Sequence, residues 1–309
     1  MSQYPRHTAL YILLLLAVSS VSAQDACPPS KHWDPVDYIA GQLSTRDIVF
    51  LGERHDIREM HDVYRALIES PEVRQNLNDV FVEFLTSQHQ ALLDSYVLDL
   101  ADLDLETVAP AWRDVPGIVL ETGDDMLAFE LLQVVRKVNA SIPREERICV
   151  LGGDARIPWS TLTERREWAV ELNRRDRRFL EVLWDEVIDR DRKAIAILGR
   201  AHVKRVDPSP PNWINLVELV EQRSPGSTHV IQLMIPGELA SPQLSTSAIL
   251  SVVDTCYGQA HLESRHPEVA FAEQVDAVLY LGDTLTRVPR PAFPTSFQAE
   301  LDRRLLLIE

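Results

Sequence analysis

The sequence predicts an α/β fold, a three-layer α/β/α arrangement with a mostly parallel sheet and its site at the C-terminal ends of the strands. Three observations predict it. Short runs rich in Val, Ile, Leu and Phe recur along the chain, and helix-like stretches separate them. Most of these runs are continuously apolar rather than alternating, as strands covered on both faces are. Glycine follows the runs with a rhythm, at Leu51-Gly52, Leu151-Gly152-Gly153, Leu198-Gly199 and Leu281-Gly282, as in repeated β-α units.

The predicted strands are Asp47–Leu51, Asp79–Phe84, Ile148–Leu151, Ala194–Leu198, His229–Ile235 and Asp276–Leu281. A helix is expected directly after His55, with Asp56 as N-cap and Glu59 closing a capping box, because Ile57, Met60, Tyr64, Leu67 and Ile68 then recur at helical spacing. A second runs from Asp124 to Ala140. The charged stretch Leu162–Asp191 spaces Trp168, Leu172, Phe179, Leu183 and Val187 among many Arg and Glu residues and reads as helix with a solvated face. Residues 207–211 and 236–247 read as loops, and a short helix from Ser296 to Leu307 closes the chain.

The start of the chain reads as a cleavable signal peptide. Arg6 precedes the apolar run Ala9–Val18, and small residues lead to an expected cut after Ala23. That run is about half of the ~20 residues a membrane span needs, so an export leader is expected over 1–23, one domain over 24–309, and no integral membrane segment after cleavage. The protein is expected in the periplasm or outside the cell. Acylation at Cys27 is the disfavoured alternative, since Gln24-Asp25-Ala26 lacks the apolar and small residues of such a cleavage site.

Arg6 is the only charged residue of the leader, so the mature chain carries 30 Lys and Arg against 47 Asp and Glu, a formal charge of −17. Nucleic acid and anionic lipid require clustered bases, and neither is expected as a partner. Three cysteines are too few to staple a scaffold of this size. Cys149 reads as a buried thiol within a strand, whereas Cys27 and Cys256 could pair in an oxidising compartment.

The polar residues gather where the strands end. Gly52-Glu53-Arg54-His55 follows the first strand, Glu83 lies in the second, Gly152-Gly153-Asp154-Ala155-Arg156 follows the third and Gly199-Arg200-Ala201-His202 the fourth. If these strands are neighbours, Glu53, His55, Glu83 and His202 meet on one rim. Glu53 and His55 project to one side of extended backbone, and the positive end of the following helix would disfavour protonation of His55, leaving a neutral imidazole for general-base work. Glu83, inside an apolar strand, needs a partner, because burying a lone carboxylate costs several kcal/mol. Arg58, His61, Asp154 and Arg156 are candidate substrate-binding residues, although an Asp154–Arg156 salt bridge is an equal reading. The same four rim residues are a candidate set for Zn or Mn, with a position open for water. No Gly-x-Ser-x-Gly elbow and no His-Glu-x-x-His helix occurs.

Gly52-Glu-Arg-His-Asp56 with the following His61, the strand carrying Glu83, and Gly199-Arg-Ala-His202 together resemble the clan of ChaN-like haem-uptake lipoproteins, erythromycin esterases and Tiki/TraB-type proteins, most closely the ChaN-like group. The likeness spans residues 47 to about 203. It implies a three-layer α/β fold with its site at the strand ends. The activities it implies differ: metal-independent ester hydrolysis in the esterases, metal-dependent peptide cleavage in Tiki proteins, and haem binding in ChaN. The esterases place one more residue between the Glu and the His of the first motif, while Gly52–His55 and Gly199–His202 both fit the Gly-x-x-His of Tiki proteins. Fold kinship does not fix chemistry. The expectations are therefore a hydrolase acting on a small ester or peptide-like substrate, a haem or iron binder without turnover and with a homodimer as its candidate assembly, or a non-catalytic interaction protein using the charged stretch from Glu164 to Arg192.

Overall fold

The computed structural model describes residues 31–120, 125–205, 214–239, 241–242, 244–261, 268–289 and 293–309. The expected leader and Cys27 lie outside these residues. Eight strands form one sheet: β1 (His32–Trp33), β2 (Ile48–Glu53), β3 (Asp79–Thr86), β4 (Cys149–Asp154), β5 (Ala194–Gly199), β6 (Thr228–Leu233), β7 (Ala248–Ser251) and β8 (Ala277–Tyr280). Their order is β1-β7-β8-β6-β2-β5-β3-β4. Pairing is parallel from β8 through β4, and β7 runs antiparallel to both β8 and β1. The six expected strands are present within a few residues. Two more, β1 and β7, are additions, and both belong to the antiparallel edge.

Alternation along each strand sends neighbouring side chains to opposite faces, and the core divides accordingly. Val49 and Leu51 join the cluster built with the helices Pro35–Leu43, Arg58–Glu69, Gln90–Val97 and Asp125–Asn139, whereas Ile48 and Phe50 join the one built with Arg175–Val182 and Leu216–Arg223. The sheet is thus the middle of three layers. A third cluster, with Ile157, Trp159, Trp168 and Leu301, lets the final helix Thr295–Ile308 pack beyond β4. The edge of β4 is itself covered: the Gln90 amide donates to the Val150 carbonyl at 2.8 Å and accepts from the Gly152 N–H at 3.0 Å, the two bonds a ninth strand would make.

Two expectations about helices are corrected. The helix after His55 starts at Arg58 with Ile57 at the N-cap and no side-chain cap. Asp56 instead pairs with Arg287, and Glu59 accepts the Thr286 N–H at 3.0 Å, so the two acids that suggested a capping box tie this turn to the segment after β8. The stretch 162–191 is not one solvated helix. It is split into Arg165–Leu172, Arg175–Val182, a π-helical turn Leu183–Val187 and a 3-10 turn Ile188–Arg190, and it sends charged side chains inward.

Among the described residues no helix is long and apolar enough to cross a membrane. Cys149 is a half-buried free thiol whose pKa burial pushes up to about 11, whereas Cys256 is in a disulfide. Alkylation of the denatured, unreduced chain followed by peptide mapping is therefore expected to label Cys149 and spare Cys256. A labelled Cys256 would contradict the disulfide.

Candidate functional site

The topology opens a crevice where the chemistry-bearing strands end. The chain leaving β2 enters the helix Arg58–Glu69 on one face, whereas the chain leaving β5 goes to Leu216–Arg223 on the other, and β2 and β5 are neighbours. Where adjacent connections part to opposite faces, a cleft forms beyond the carboxyl ends of the strands. Glu53 and His55 from β2, Glu83 from β3, Asp154 from β4 and His202 from the turn after β5 border it.

Glu83 is the centre. Its side chain is buried, and both imidazoles turn Nε2 toward its Oε1, His55 at 3.7 Å and His202 at 3.6 Å. Each imidazole has a carboxylate behind it: His55 Nδ1 hydrogen-bonds Glu53 Oε1 at 2.7 Å, and His202 Nδ1 lies 2.6 Å from Asp176 Oδ1 as an ion pair without hydrogen-bond alignment. A carboxylate on Nδ1 fixes ring orientation and tautomer and leaves Nε2 as the working nitrogen. The buried Tyr64 hydroxyl donates to Glu53 Oε2 at 2.8 Å, which fixes that carboxylate in turn. On the other side Glu83 accepts from Arg175 Nη2 at 2.8 Å and from the Gly199 N–H. Arg175 also donates to both oxygens of the buried Asp154, at 2.8 and 2.9 Å. A Cβ at position 199 would sit 3.3 Å from both Glu83 Oε2 and His55 Nε2, so glycine keeps this approach open.

These contacts set the protonation states. Burial alone would raise Glu83, but His202, His55, Arg175 and the Gly199 N–H together hold it at about 2. Burial works against a charged His55, yet Glu83 and the hydrogen bond that His55 donates to Glu53 outweigh it and push its pKa up to about 9. His202 moves the same way: burial is outweighed by Glu83 and Asp176. The expectation of a neutral His55 near pH 7 is thereby corrected. Two full carboxylate charges within 4 Å exceed the half charge of a helix end, and that helix starts three residues further on, at Arg58. Asp154 stays raised, because its burial exceeds the help from Arg175.

Of the sequence-predicted residues, the structure brings together Glu53, His55, Glu83, His202 and Asp154. Others lie elsewhere. Arg58 pairs with Glu130 on the helix Asp125–Asn139. His61 is buried against Tyr64 and Phe84, at ring-centroid distances of 5.1 and 6.1 Å, and burial lowers its pKa. Arg156 is exposed and its Nε meets Ser87 Oγ at 3.4 Å; the partner of Asp154 is Arg175, not Arg156. Arg175, Asp176 and Tyr64 were not anticipated. The signal that could have found Arg175 was the pair of buried strand-end carboxylates, Glu83 and Asp154, each of which demands a cation.

The Zn or Mn set does not fit this arrangement. Glu83 Oε1, the atom both imidazoles face, already receives a guanidinium. Among the described residues no group of three or more His, Cys, Asp or Glu side chains is placed to hold a metal ion.

Relatives agree with the likeness read from the motifs. Residues 39–116 match the family described as haem-binding uptake, Tiki superfamily, ChaN. This ChaN-matching segment contains Glu53, His55, His61, Tyr64 and Glu83. No curated protein sequence matches the chain. Among solved structures, erythromycin esterase EreC, a mutant in its open conformation, is 10% identical with a TM-score of 0.56, over 82% of this chain and 94% of that one. A succinoglycan biosynthesis protein is 10% identical with a TM-score of 0.53, over 83% and 94%. ChaN of Campylobacter jejuni, described with cofacial haem binding, is 16% identical with a TM-score of 0.45, over 80% and 91%. At these identities the likeness is one of fold, the mixed α/β fold with a mostly parallel sheet described above.

Proposed function

We propose that the chain is a hydrolase that cleaves a small ester or peptide-like bond by acid–base chemistry at the crevice, without a metal. The observation that carries this is the convergence of two carboxylate-backed imidazoles on one oxygen, with His55 Nε2 and His202 Nε2 at 3.7 and 3.6 Å from Glu83 Oε1. A water drawn between the two rings has an acceptor in one and a donor in the other. His55, once it has lost its proton, takes one from the attacking water at Nε2, while Glu53 steadies the imidazolium that forms. His202, protonated and held by Asp176, gives a proton to the leaving group. Arg175 keeps Glu83 ionised, so that Glu83 holds both rings in register.

Export to the periplasm or cell exterior, expected from the leader, is part of this reading. The test is turnover of a panel of small esters and peptides by the full chain. His55→Ala and His202→Ala are each expected to reduce the rate by about 10²–10⁴, with circular dichroism unchanged. If both variants turn over like the wild type, the crevice is not the site.

A second reading, haem binding without turnover, rests on the ChaN-matching segment. Haem titration into the full chain separates the two, since a saturable Soret shift with no turnover of any ester favours the binder.

A further inference from the structure

Ser87 follows the strand that carries Glu83, and its buried hydroxyl is a meeting point for two guanidiniums. Oγ accepts from Arg178 Nε at 2.9 Å and from Arg156 Nε at 3.4 Å, and donates to the Asp154 carbonyl at 3.2 Å. One donated and two accepted bonds are the full capacity of a hydroxyl. A guanidinium held by Nε keeps its Nη pair for another acceptor. Arg178 spends Nη1 on Glu181 at 3.1 Å, whereas Arg156 meets no carboxylate among the described residues.

Several arginines of this region do meet acids. Arg174 pairs with Glu171, Arg175 with Glu83 and Asp154, Arg190 with Glu186 and Arg192 with Asp79. Arg156 differs from these in meeting no carboxylate among the described residues. Its place is equally specific. Asp154, whose carbonyl anchors Ser87, is the residue whose carboxylate grips Arg175 at the crevice, and Arg178 follows Arg175 by one turn of the same helix.

We infer that Arg156 and Arg178, aligned by Ser87, form a subsite beside the crevice for the carboxylate or phosphate group of a ligand. Planar forks suit both groups, which accept two parallel N–H bonds. Given the hydrolase reading, on which this extension rests, the substrate is an ester that bears an anionic group a few bonds from the scissile one. Ser87 is a positioning residue. Anion capture does not itself require turnover, which keeps the two ideas separable.

The test is calorimetric titration of the full chain with succinate and, separately, inorganic phosphate. One saturable site for one of the two is expected, and the anion that binds tells carboxylate from phosphate. Arg156→Gln and Arg178→Gln should each weaken it by at least about tenfold. Ser87→Ala should weaken it less, and Ser87→Thr should restore it. In turnover assays, the preference for an anionic ester over its neutral methyl ester should fall by a similar factor in Arg156→Gln. Absence of binding for both anions, or binding that Arg156→Gln leaves intact, overturns the subsite. Anion binding that depends on Arg156, in a chain that hydrolyses nothing, sustains the subsite and removes the hydrolase.

Discussion

From pH 7 upward, kcat/KM of the wild-type chain is expected to rise until His202 loses the proton it donates, because at pH 7 only about one His55 ring in a hundred is neutral. The cause is the pair of acids around that ring, which push its pKa up to about 9. The same protonation stabilises the fold, with the opposite dependence on pH. A pKa raised on folding gives stability that is fully present below the unfolded value, about 6.5, and is lost as pH rises through the folded value. The loss is at most about 3 kcal/mol, and it shares its origin with the depression of Glu83, so the two are not added. Glu83 acts at the other end of the scale. Its contribution is present above about 4.5 and is lost as pH falls toward about 2. Melting temperature should therefore decline across the window in which activity climbs, and His55→Gln should flatten that decline. A rate profile level from pH 7 to 9.5, or one with its midpoint near 6.5, would show that His55 does not act as the base held in check by Glu53 and Glu83.

How much of this was legible in the sequence follows from what each signal measures. Continuous apolar runs mark strands buried on both faces, and β2, β3, β4, β5, β6 and β8 were all visible that way. The strand β1 has two residues, too few for any periodicity, and β7 directly follows a segment with the composition of a loop. Glu53, His55, Glu83 and His202 could be read together because polar residues and glycines interrupt apolar strands at the same end. Arg175 and Asp176 could not. In Arg174-Arg175-Asp176-Arg177-Arg178 every position looks alike to a test of amphipathicity, and only the three-dimensional deficit of charge at Glu83 and Asp154 selects which arginine turns in. The protonation of His55 was misread for a related reason: the helix end was visible in the sequence, while the second carboxylate on Nε2 required the sheet order.

Replacing that inward arginine carries the largest expected cost in stability. Arg175→Met keeps the length and apolar stem of the side chain, which packs against the Phe179 ring at 5.5 Å from the guanidinium carbon, but removes three hydrogen bonds and the charge. The buried Asp154 then stands without its cation, while Glu83 keeps only the two imidazoles and the Gly199 N–H. Breaking a buried ion pair from one side costs about 3–5 kcal/mol, more than the pair itself contributes, because the surviving charge stays out of water. The chain has one escape, which is to bind protons. Asp154 is already raised by burial, and without Arg175 it would rise further, so it would stabilise the fold only when protonated, below the unfolded pKa, and lose that stability as pH increases. The deficit of Arg175→Met relative to wild type, measured by urea unfolding of the full chain, is therefore expected to be greatest near pH 7 and to shrink toward pH 4. Arg175→Lys, which keeps the charge but cannot span both carboxylates as a fork does, should fall between the two at every pH. A Met variant as stable as wild type at pH 7, or one whose deficit grows on acidification, would mean that Glu83 and Asp154 do not depend on this arginine.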